Sequence, residues 1–123
     1  MFSDSDLRNI ADPPGLFFQL GGIHDGKVLA ISFDVNRQIM EVMLDDIYSN
    51  FLDFPEYPGT TPAQMIFSGL NKFSCDVDLN ELPLAIAIIE CQEREGGGLY
   101  SLSISLGRSG SMEISCQQIS ITS

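Results

Sequence analysis

From Gly26 to the C-terminus, apolar and polar side chains alternate with a period of two, the spacing of strands that bury one face. Val28 to Asp34 predicts a strand, with Leu29, Ile31 and Phe33 on one face and Val28 and Ala30 on the other. The turn Asp34-Val35-Asn36-Arg37 leads to a return strand, Gln38 to Leu44. There Met40, Val42 and Leu44 alternate with Ile39, Glu41 and Met43, so the pair reads as a hairpin. Met65 to Leu79 keeps one parity, with an expected bend at Gly69-Leu70-Asn71. Leu84 to Cys91 is apolar on both faces, which predicts a central strand.

Glu93 to Gly98 reads as an exposed turn, and Leu99 to Leu106 as a half-buried strand. Tyr100, Leu102, Ile104 and Leu106 point one way; Ser101, Ser103 and Ser105 point the other. After the turn Gly107 to Gly110, Met112, Ile114 and Cys116 continue the pattern. The parity then moves to Ile119 and Ile121, which predicts a bulge between Cys116 and Gln118.

The N-terminal third is different. Ser3 to Ala11 has helical spacing with Ser3 or Asp4 as cap, and Asp12-Pro13-Pro14-Gly15 is expected to end it. Leu16 to Leu20 fits a short helix or a strand. Asp45 to Pro62 is a long connection; Pro55, Pro58, Gly59 and Pro62 keep it out of a central strand, with one helical turn near Asp46 to Phe51. The expected fold is mainly β (all-β or β-rich α+β): an antiparallel sheet or sandwich of about six strands with a short N-terminal helix, residues 1–123 forming a single domain.

Charge changes the picture. Seventeen acidic residues against six basic give a formal net charge of -11, yet 44% of residues are hydrophobic, enough for a real core. The chain therefore reads as a compact acidic domain rather than a disordered tail. Six dispersed cations against that acidity argue against nucleic-acid binding. No apolar run approaches membrane-spanning length, and no basic leader precedes an apolar stretch, so a cytoplasmic location with no membrane partner is expected. Cys75, Cys91 and Cys116 have no CxxC spacing and read as reduced, mostly buried thiols.

Familiar chemical motifs fail on inspection. Gly21 to Lys27 opens like a phosphate loop, but Val28 replaces the hydroxyl that would hold magnesium, and a strand follows where a helix is needed. Asp76-Val77-Asp78-Leu79-Asn80 opens like a calcium loop, but Glu81 stands at the required glycine and Ala87 at the bidentate glutamate. His24 is the only histidine and is read as a structural residue bonded to nearby backbone; in a strand it would point away from Asp25. No catalytic, cofactor or metal residue is assigned.

The densest grouping lies on the long connection. Asp45, Asp46, Asp53 and Glu56 interleave with Tyr48, Phe51, Phe54 and Tyr57. Aromatics ringed by charge suit a protein–protein hot spot, so these eight are the candidate partner-binding residues. The bland reading is a solvated loop over packed aromatics; a weak divalent site at Asp45, Asp46 and Asp53 is a third.

The run Ile23-His24-Asp25-Gly26-Lys27-Val28-Leu29-Ala30-Ile31-Ser32-Phe33-Asp34, with its return strand, resembles the opening of small acidic bacterial immunity-type proteins of polymorphic toxin systems. The resemblance covers residues 22–44, and Tyr57-Pro58-Gly59 resembles part of a related uncharacterised bacterial family. It implies non-enzymatic binding of a partner protein and carries over no contact residue. The expected function is thus a small acidic binding protein that masks a basic partner. A structural or accessory module without an active site is the alternative, and a carboxylate- or metal-dependent enzyme the third reading. A homodimer through an exposed strand edge, such as the serine-faced strand Leu99 to Leu106, is a further expectation.

Overall fold

The computed structural model describes residues 1–123. Two short helices precede eight strands: α1 Asp4–Arg8, α2 Pro13–Gln19, β1 Val28–Asp34, β2 Ile39–Leu44, β3 Ala63–Ser68, β4 Lys72–Val77, β5 Ile88–Glu93, β6 Tyr100–Ser105, β7 Gly110–Cys116 and β8 Gln118–Thr122. The strands form two antiparallel four-stranded sheets, ordered β1-β2-β3-β8 and β4-β7-β6-β5. The inward rows of both sheets join one core cluster, with Met40, Met65, Phe67, Ile104 and Met112 fully buried. The mainly-β architecture is therefore as the alternation predicts, with two strands and one helix more than expected.

The parity change near the C-terminus is not a bulge within one strand. β7 ends at Cys116 in one sheet and β8 begins at Gln118 in the other. The bend at Gly69-Leu70-Asn71 is the matching crossing from β3 to β4. The crossings lie side by side: Gln117 N–H donates to Ser68 O at 3.0 Å and Asn71 N–H to Ser115 O at 2.8 Å. A chain that changes sheets must re-aim its buried face, so alternation slips there.

Other expectations need correction. Leu84 to Cys91 is not a central strand: only Ile88–Glu93 is regular, and it lies at a sheet edge. Leu84 and Ile86 enter the core from an irregular segment bonded to Asp25, Gly26 and Val28, while α2 packs against β5, so both faces are apolar without a second strand. The serine-faced strand β6 is not an edge; it lies between β5 and β7 and has no free side for a second copy. Leu29 does not share a face with Ile31 and Phe33, because a register shift between Val28 and Ala30 turns it outward.

Pro13 and Pro14 do not end a helix but begin one. Proline is tolerated in a first turn, where no intrahelical N–H bond is lost, and Asp12 caps the new helix by accepting from Gly15 N–H at 3.1 Å. α1 carries a reciprocal cap between Ser3 and Asp6. It packs beside β8 while α2 packs against β5. No helix is long and apolar enough to cross a membrane.

Candidate functional site

The connection from β2 to β3 is bound together at its base. Asp45 Oδ1 accepts from Lys27 N–H at 2.7 Å, and Asp45 N–H donates to Lys27 O. Asp46, only 7% exposed, is the hub. Its carboxylate accepts from Tyr48 N–H at 3.0 Å, Thr61 N–H at 3.1 Å and Tyr57 Oη–H at 2.6 Å. A buried charge is tolerable when its lone pairs are filled in this way. The bonds tie residues 46, 57 and 61 together and fix both ends of the intervening loop. The donated bond to Asp46 also raises the Tyr57 phenol above its ordinary pKa of 10.0, because ionisation would remove it.

Tyr48 is buried in the core, and its phenolic oxygen accepts from Phe2 N–H at 3.2 Å. After it the chain winds outward through successive turns: Phe51 N–H donates to Tyr48 O, Phe54 N–H to Phe51 O and Tyr57 N–H to Phe54 O. Phe51 packs partly on the core and meets Phe54 edge-to-face at 6.2 Å. Leu52 remains 63% exposed and Phe54 53% exposed, with Asp53 and Glu56 also on the surface.

The eight predicted contact residues therefore divide by position. Asp46 and Tyr48 are interior and available to no partner. Asp45, Phe51 and Tyr57 are half-buried framework. Asp53, Phe54 and Glu56 share the outer surface of the loop, joined by Leu52, which sequence reasoning missed. The contact reading took every aromatic of the segment as exposed, whereas Tyr48, Phe51 and Tyr57 fit the alternative of a solvated loop over packed aromatics; burial of Tyr48 follows from its place at the root of the loop. The Asp45–Asp46–Asp53 metal reading fails on geometry, since no three His, Cys, Asp or Glu side chains converge where they could hold an ion.

His24 bonds backbone, though at long range: its Nδ1 lies 2.8 Å from Ala87 O. Its Nε2 lies 3.5 Å from Asp25 Oδ1, so the two side chains do face each other. The opposite expectation assumed a strand; Asp25 instead sits in a turn at φ 71°. Both side chains are largely exposed.

The cysteines are all free, but only Cys116 is buried; Cys91 is half-buried and Cys75 exposed on the edge strand β4. Burial pushes the Cys91 thiol up to about 12, with smaller contributions from Cys116 and Asp12, and Cys116 up to about 11. Both are neutral at physiological pH and behave as apolar groups.

No protein-family model and no curated protein matches this sequence. Its fold is similar to the crystal structure of an uncharacterized protein from Neisseria gonorrhoeae, with a TM-score of 0.55 and 19% sequence identity, over 80% of this chain and 90% of that one.

Proposed function

We propose that this chain is a non-enzymatic binding protein that captures a basic partner protein through the loop surface formed by Leu52, Asp53, Phe54 and Glu56. The observation that carries the reading is the pairing of two exposed apolar side chains with two exposed carboxylates on a loop whose roots are held by Asp46. Such a surface loses little freedom on binding, and preorganisation leaves more of the contact energy available for affinity. A net charge of -11 would steer a cationic partner and raise its association rate by roughly 10–1,000-fold at low salt. The resemblance of residues 22–44 to immunity-type proteins makes a basic toxin, masked in the cytoplasm, the specific partner to seek.

The test is comparative capture from lysate of the source organism at low salt, with wild-type protein and the triple variant Asp53→Asn, Phe54→Ala, Glu56→Gln. All three side chains are exposed, so the fold should be retained. The expected result is a basic protein captured by the wild type at low salt, captured far less when the salt is raised before mixing, and absent from the variant. Identical capture profiles would reduce the chain to an accessory module whose acidity serves solubility.

A further inference from the structure

β4 ends its sheet and pairs with β7 alone. The β7 register runs on past the strand, where Asp78 N–H donates to Ser109 O at 2.7 Å. Bonded residues alternate along an antiparallel ladder, so Lys72, Ser74, Asp76 and Asp78 turn their backbone groups toward β7. Phe73, Cys75 and Val77 turn theirs the other way, where no backbone hydrogen bond meets them. The side chains of these three align with Ile114, Met112 and Gly110 on the core face of the sheet. Phe33 of β1 reaches across to Phe73, edge-to-face at 4.5 Å, yet Cys75 is exposed and Phe73 and Val77 stay half-buried. At this strand the apolar row extends beyond its cover.

The other outer strands are occupied or lack complementary charge. β5 lies against α2 and the turn Gly21–Ile23, and β8 against α1. β1 is bonded at its start to Leu84, and Lys27 beside it is bridged to Ala85. Beyond that start β1 carries Asp34 and no cation, so two copies would bring no opposite charges together. β4 is self-complementary. Two copies set antiparallel about Cys75 place Lys72 opposite Asp78, Phe73 opposite Val77 and Ser74 opposite Asp76. In that register Phe73, Cys75 and Val77 supply the bonded pairs, and theirs are the backbone groups left free. Polar side chains meet on the outer face and apolar ones on the core face.

We infer that two copies of this chain pair through β4, antiparallel about Cys75, and join their four-stranded sheets edge to edge. Backbone pairing supplies the contact, while the apolar row and the Lys72–Asp78 pairs set the register. The interface is isologous, as a two-fold dimer requires. A charge of -11 on each chain opposes the approach, so the dimer is weak. Monomer prevails in dilute solution, where Cys75 stays open to reagents. No residue of the loop Leu52–Glu56 takes part, so dimerisation and partner capture can fail separately.

The test uses the full chain at about 0.15 M salt, where a Debye length of about 8 Å screens distant charges but spares pairs across adjacent strands. Sedimentation should show monomer passing to dimer as protein concentration rises. Over the same range, residue-resolved amide exchange should slow about tenfold at Phe73, Cys75 and Val77, and change little at Ser74 and Asp76, which β7 already holds. Lys72→Glu and Asp78→Lys should each weaken dimerisation about tenfold, because each sets like charges opposite one another. Both side chains are exposed, so the fold should be retained. An equimolar mixture of the two variants should dimerise again, since every charge pair across the interface is then of opposite sign. Should either variant fail to fold, the wild-type exchange pattern decides alone. Monomer at every concentration, protection confined to β1, or a mixture of folded variants no more dimeric than its components would each overturn the inference.

Discussion

Asp46 concentrates more local structure than any other polar residue of the chain. Three donors converge on its buried carboxylate from both roots of the loop. Asp46→Ala leaves two backbone N–H groups and a phenol without their acceptor, at an expected cost of roughly 3 kcal/mol. Urea denaturation should report it as a lower midpoint with an unchanged slope, and a midpoint equal to wild type would contradict the assignment. Tyr57 offers an independent view through pH. Folding raises its pKa, so its contribution is complete below the unfolded value of 10.0 and is lost as pH rises through the folded value. In a spectrophotometric titration, Asp46→Ala should bring the Tyr57 ionisation back toward that ordinary value. The thiols give a third residue-scale test. Native protein should react with one equivalent of a water-soluble thiol reagent, at Cys75, and with three only when unfolded. Rapid native labelling of all three would place Cys91 and Cys116 wrongly.

At the scale of elements, capping and turn geometry decide what alternation does not. Asp12→Ala should cost about 1 kcal/mol by removing the acceptor for Gly15 N–H at the start of α2. Gly110 opens β7 at φ 120° and ψ -146°, a region open in practice only to glycine. A Cβ there would also collide with the Asp76 carbonyl oxygen of β4. Gly110→Ala should therefore cost on the order of 3 kcal/mol and loosen the β4–β7 pairing, seen as faster amide exchange in Lys72–Val77. Most strands were legible because they bury one face: β2, β6 and β7 alternate cleanly and fold as the alternation implies. α2 was not, because Leu16 to Leu20 is too short for period alone to separate helix from strand, and the deciding signal is the Asp12 cap before Pro13. In that helix Phe17 and Phe18 must face different directions, which is why one is buried and the other projects into solvent.

At the scale of the molecule, sequence order and spatial order part company. β3 and β8 pair in one sheet, β4 and β7 in the other, and the crossings share a corner; no period in the sequence encodes which strands become edges. That is why β6 read as exposed when it is central, and β5 as central when it is an edge. The candidate surface was legible in composition, since acids and aromatics crowd residues 45–57, but not in depth, since exposure depends on which side chains the core accepts. Net charge acts on the whole molecule alike, so the on-rate for a basic partner should fall steeply with ionic strength, while dissociation, set by Leu52 and Phe54, should vary little. The measurement that bears most directly on the central claim is residue-resolved amide exchange of this chain, alone and mixed with a basic protein recovered in the low-salt capture experiment. The account predicts slowed exchange across Leu52–Tyr57. Protection confined to the serine-rich outer face of β6 and β7, with that loop unchanged, would contradict it.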